Sequence, residues 1–243
     1  MDILVLGDSF TANCESWANH LSDFHDAETE EPNIKVKNLG QGCNSNHSIA
    51  RRLIEELTEH KSSYDYVIIQ WTIDFRGSYN PTIFKEPFSD RIEYGVASYE
   101  NSDTFKRPEF LTQESLNLRW LEHILLAQYF LQMYKLDYKM FFGWDVQFSK
   151  SWESFPKLYE KIDFSKWWGQ PHNIENFLPQ NHRAPGECNY PPRHELIEKN
   201  MWYDWGMAEW IRCNVEDGMQ EDAHPTNYSH QRFAKEVVKT WIK

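Results

Sequence analysis

Apolar and polar positions alternate along the first half of the chain in two periods. Ile3-Leu4-Val5-Leu6 is an unbroken apolar run ended by Gly7, the pattern of a short buried strand. Beyond Phe10, residues Cys14, Trp17, Ala18 and Leu21 recur at helical spacing with polar residues between them. Ile34-Lys35-Val36-Lys37 predicts a second strand, and Ile49, Leu53, Ile54 and Leu57 form one face of a helix. Tyr66-Val67-Ile68-Ile69 predicts the third strand, apolar enough to lie centrally in a sheet. A helix follows from about Glu114 to Leu136, capped by Thr112 or Ser115, with Leu118, Leu121, Leu125, Tyr129 and Leu136 as its buried face. Tyr138 to Phe142 is the fourth strand, closed by Gly143, and a last helix spans about Ser229 to Ile242 with Phe233, Val237, Val238 and Trp241 facing inward. Strands separated by helices imply parallel pairing through right-handed crossovers, the α/β class.

Two stretches break this order, at about 75–112 and about 145–210. The first mixes Gly, Pro, Asn and charge without a sustained period; long segments of this kind are usually functional. The second belongs to a region from Trp144 to Trp210 that holds seven tryptophans. It reads as a cap of short helices and loops inserted into a single domain spanning residues 1–243. Its tryptophans either form the core of that cap or offer flat faces to sugars.

Charge narrows the partners. The 243 residues carry 37 acidic against 25 basic side chains, a net charge of −12, without a dense Lys/Arg cluster. That balance argues against nucleic acid and against anionic membrane surfaces. The sequence shows neither a leader-like segment nor an apolar run long enough to span a bilayer, which leads to the expectation of a cytoplasmic or viral-particle-associated protein. Cys14, Cys43, Cys188 and Cys213 are scattered, which disfavours zinc ribbons and thioredoxin-like sites. His194-Glu195 lacks a second histidine at zincin spacing, and Gly40-Gln41-Gly42 lacks the third glycine of a dinucleotide fingerprint. No cofactor and no metal is expected.

Two stretches carry candidate chemistry. Gly7-Asp8-Ser9-Phe10 places Ser9 on a strand-to-helix turn at the carboxyl end of the first strand, where α/β sheets bind ligands. Unpaired N–H groups there favour negative charge, so Ser9 is either a nucleophile or a helix cap. Glu221-Asp222-Ala223-His224-Pro225 sets two carboxylates just before a histidine whose backbone the proline restrains. It is a catalytic base with its orienting acid, or a surface turn.

Together these stretches resemble the SGNH/GDSL hydrolase family. The likeness is carried by Ile3 to Phe10, Asn38 to Asn46, Val67 to Asp74 and Asp222 to Phe233, including His230, about a quarter of the chain. It implies a three-layer, flavodoxin-like α/β sandwich with a parallel sheet, an ester substrate and a serine nucleophile. Carried over, Ser9 is the nucleophile, His224 the general base and Asp222 its acid, with Glu221 as the alternative acid. The oxyanion hole is the backbone N–H of Ser9 and that of Gly42, with Gly40 a neighbouring candidate. Where the family has Gly-x-Asn-Asp, this chain has Trp71-Thr72-Ile73-Asp74, so the donor asparagine is replaced by Ile73. Asn44, Asn46 and Thr72 are the nearest replacements, while Trp71, Thr72 and Arg76 are candidate substrate contacts, with Arg76 or Arg183 suited to an acidic sugar. The implied partner is a small-molecule or glycan ester, most readily a short-acyl ester of a carbohydrate. A glycan-binding module that keeps the fold without catalysis, and a lipase or thioesterase on longer chains, are the competing readings.

Overall fold

The computed structural model describes residues 1–12, 14–23, 34–42, 44–60, 63–72, 76–79, 95–98, 113–144, 154–168, 206–221 and 224–242. Strand β1 (Asp2–Leu6) runs into the one-turn helix α1 (Ser9–Ala12), followed by α2 (Trp17–His20), β2 (Lys35–Asn38) and α3 (Asn46–His60). Next come β3 (Tyr66–Trp71), β4 (Arg76–Tyr79), β5 (Gly95–Ser98), α4 (Gln113–Tyr134) and β6 (Asp137–Phe142). Short helix α5 (Pro156–Tyr159), then α6 (Met207–Asn214) and α7 (Asn227–Glu236) complete the order.

β2, β1, β3 and β6 form one parallel sheet in that order, with Ile3 opposite both Val36 and Tyr66 and Tyr66 opposite Asp137. Alternate side chains leave opposite faces of each strand. Leu4, Leu6, Val67, Ile69, Trp71, Tyr138, Met140 and Phe142 pack against α3 and α4. Ile3, Val5, Ile68 and Phe141 pack against α2, α6 and α7. The result is a three-layer α/β sandwich, with the parallel pairing that the alternation of periods predicts, the layering that the resemblance implies, and β3 inside the sheet.

Three expectations need correction. The helical period after Phe10 is two short helices rather than one, because Ser16 is extended (ψ 159°) where a continuous helix would pass. The stretch 75–112 is not wholly irregular: β4 and β5 pair antiparallel as a separate ribbon, Arg76 opposite Ser98. Finally, the last helix stops at Glu236 and gives way to a 3₁₀ turn at Val238–Trp241. Of the tryptophans between 144 and 210, Trp144, Trp167, Trp168 and Trp210 are described, and all four pack on the two cores.

Candidate active site

The strand order reverses between β1 and β3, and the turn after β1 opens at that point, on the carboxyl edge of the sheet. Gly7 makes the turn. A Cβ there would lie 2.3 Å from Thr11 Oγ1, so only glycine lets the chain fold back this closely. Asp8 then closes the first turn of α1: its carbonyl accepts from the N–H groups of Thr11 and Ala12, and its Oδ1 accepts from the Phe10 N–H at 3.0 Å. Ser9, half-buried, stands at the first position of that helix.

The second part of the site is a loop pinned at its base. Residues Met219 and Pro225 form an antiparallel bridge; the Gln220 N–H donates to the His224 carbonyl at 2.7 Å, and the Thr226 N–H to the Gly218 carbonyl at 2.9 Å. Thr226 caps α7 by accepting from the Ser229 N–H, and the Ser229 hydroxyl donates back to the Gly218 carbonyl at 2.6 Å. His224 leaves this clamp with its Nε2 3.0 Å from Ser9 Oγ, joining residues 215 apart in sequence. Phe10 meets the imidazole edge-on at a centroid distance of 5.6 Å, and Trp144 lies 6.5 Å from it while packing on Phe10 at 4.5 Å with a 40° tilt. The buried Nδ1 faces away from Ser9. With the proton on Nδ1, Nε2 accepts from the Ser9 hydroxyl.

Asp222 lies outside the described residues, as do Ile73 and Arg183; Arg76 opens β4, but its side chain is likewise outside them. Glu221, the alternative acid, is exposed, and no bond joins it to His224.

The oxyanion donors divide. The N–H groups of Ser9 and Gly42 bond no other described residue, whereas the Gly40 N–H is taken by Asn38 Oδ1 at 2.8 Å. The two asparagines expected as replacement donors are engaged elsewhere. Asn44, buried, donates from Nδ2 to the Gly7 carbonyl at 3.1 Å. Asn46 grips the Thr72 backbone from both sides, donating to its carbonyl at 3.0 Å and accepting from its N–H at 2.9 Å. Both hold the turns around Ser9 in place. Trp71 and Thr72, the candidate substrate contacts, have no exposed surface. Trp71 shares the face of Val67 and Ile69 and belongs to the core under α3 and α4. The Thr72 hydroxyl donates to Asp8 Oδ2 at 2.6 Å.

That last bond belongs to a buried network that pattern reading missed. Asp8 accepts from Phe10, Thr72 and Gln70 Nε2, and Gln70 Oε1 in turn accepts from the Thr11 hydroxyl. It ties the turn after β1 to the end of β3. The available signal was Gln70 itself, a polar residue inside the run Val67 to Trp71. His230, on α7, is also structural: its Nδ1 accepts from the Trp17 N–H at 3.2 Å. Burial, and then the nearby His20 and His224, hold its pKa down at about 3, so the ring stays neutral.

No family model matches the chain, and no curated protein sequence matches it. Among solved structures, an acetyl xylan esterase, AlAXEase, is similar at a TM-score of 0.53 with 10% identity over 100% of both chains. The psychrotrophic esterase EstA from Pseudoalteromonas sp. follows at 0.49 and 15% identity, covering 99% of this chain and 98% of that one. A member of the lipolytic protein G-D-S-L family from Veillonella parvula gives 0.41 and 12% identity over 100% and 99%. With its sheet order and the turn after β1, the chain has the three-layer α/β fold that it shares with the acetyl xylan esterase.

Proposed function

We propose that the protein is a serine hydrolase that cleaves a carboxylic ester, with a short-acyl ester of a carbohydrate as the substrate class. The observation that carries this reading is the 3.0 Å contact between Ser9 Oγ and His224 Nε2 at the sheet's switch point. His224 takes the hydroxyl proton as Ser9 Oγ attacks the ester carbonyl. The oxyanion that forms is met by the N–H groups of Ser9 and Gly42, the donors left open by the surrounding bonds. Collapse expels the alcohol, protonated by His224, and leaves an acyl-serine. Water, deprotonated by the same imidazole, then releases the acid. Asp222, two residues before His224, is assigned as the carboxylate that keeps the proton on Nδ1. The acetyl xylan esterase with the same fold, and the aromatic flank of His224, support a sugar ester over a long-chain lipid.

A second reading has its own support. With Ile73 at the amide position and Asn44 and Asn46 bonded to backbone, one oxyanion donor is missing, a loss of about 10²–10³ in rate. A glycan-binding protein that keeps the fold would show the same feature. Fluorophosphonate labelling separates the two. The hydrolase reading expects labelling of the native chain and none of Ser9→Ala, together with loss of 4-nitrophenyl acetate hydrolysis in both Ser9→Ala and His224→Ala. Absence of labelling in the native chain, with binding to acetylated sugars retained, establishes the binding module instead.

A further inference from the structure

On one face of the sheet, α3 and α4 lie against each other and carry basic side chains at matched spacing. From α3 the facing groups are His47, on its first turn, and Arg51 four residues on; from α4 they are Arg119 and His123, again four apart. His47 Nδ1 and His123 Nε2 approach to 3.3 Å, and the rings meet nearly edge to face at a centroid distance of 5.2 Å. Glu55 answers Arg51 at 3.0 Å, while Glu122, exposed on α4, bonds neither Arg119 nor His123. Arg119 is exposed and pairs with no carboxylate among the described residues.

Such a grouping runs against the rest of the molecule, whose net charge is −12. Like charges set across a helix seam repel, and neighbouring acids would ordinarily relieve them. Here the seam also receives the positive end of α3, a helix of 15 residues. We propose that the seam between α3 and α4, faced by His47, Arg51, Arg119 and His123, is a binding site for a sulfate or phosphate group. Arg119 and Arg51 supply forked N–H donors, and the paired imidazoles supply further donors once protonated.

The imidazoles make binding observable. Burial, then His47 and Arg119, lower the His123 pKa to about 4; burial, Arg51 and Arg119 lower that of His47. An anion in the seam opposes the arginines and draws protons onto both rings. The site stands or falls independently of ester hydrolysis, since it is read by binding alone.

The test uses the full chain, with histidine Hε1 resonances followed through a pH titration in chloride and in sulfate at equal ionic strength. In sulfate the midpoints of His47 and His123 rise by about half a pH unit or more, while that of exposed His60 stays put. In Arg119→Gln the sulfate concentration giving half the effect rises about tenfold. Equal movement of all three midpoints, or an unchanged sulfate requirement in Arg119→Gln, overturns the proposal. A second arm replaces sulfate with a monosaccharide sulfate. Binding at least as tight as that of sulfate assigns the seam to an anionic group carried on a sugar; binding of inorganic sulfate alone assigns it to the free ion.

Discussion

Asp8 has no exposed surface, yet its carboxylate accepts from a backbone N–H, an amide and a hydroxyl on two different segments. Removing it leaves the Gln70 amide and the Thr72 hydroxyl facing a void, and hydrogen bonds to a charged acceptor are worth about 1.5–3 kcal/mol each. Asp8→Ala therefore lowers stability by about 3 kcal/mol or more in urea unfolding, whereas Ser9→Ala stays within about 0.5 kcal/mol of the native chain. Equal midpoints for the two variants would show that the carboxylate anchors nothing. Ser9 and His224 were legible as candidates because Gly-Asp-Ser and His-Pro are local signals. The parity of β3 also places Trp71 with Val67 and Ile69, in the core. Which carbonyl an asparagine reaches is a tertiary matter, and the roles of Asn44 and Asn46 could not be read from their neighbours in sequence.

The loop after β2 meets α1 at two residues: Asn38 Nδ2 donates to the Thr11 carbonyl at 2.6 Å, and Gly40 lies against the backbone of Thr11 and Ala12. A Cβ at Gly40 would lie 2.7 Å from the Thr11 carbonyl carbon and 2.8 Å from the Ala12 nitrogen, both backbone atoms that cannot turn aside. At Gly42 the same Cβ would meet nothing within 4 Å. Gly40→Ala thus destabilises by about 1–3 kcal/mol and shifts the Gly42 N–H, depressing 4-nitrophenyl acetate turnover well below the unfolding temperature. Gly42→Ala keeps its N–H and leaves stability and turnover close to native. If the two variants behave alike, the loop does not depend on that contact. At this scale the four sheet strands and the helices α3, α4 and α7 were legible, because each buries a face long enough to impose its period. The β4–β5 ribbon was hidden by its glycines and polar residues, and α6 by its brevity and by the aromatic residues before it.

Across the whole molecule, protons link distant layers. His230 and His123 stay neutral in the native state down to pH values of about 3 and about 4. In the unfolded chain both take protons with the ordinary value of 6.5. Below that pH the unfolded state binds more protons, so stability falls as pH drops; above it these groups are indifferent. His230 alone contributes a slope of about 1.4 kcal/mol per pH unit in that window. Urea midpoints compared at about pH 7 and about pH 5, above the range of ordinary carboxylates, register the loss, and His230→Gln reduces it. A midpoint unchanged between those two conditions would place the imidazoles in contact with water. The clamp that holds residues 218 to 226 has a different consequence, for the order of events when the chain is made. The serine leaves the ribosome well before its partner ring, which arrives 215 residues later on a segment that must be closed and docked. Nascent chains and carboxyl-terminal truncations should therefore be chemically silent, and the return of turnover during refolding should mark the final docking step rather than the collapse of the sheet.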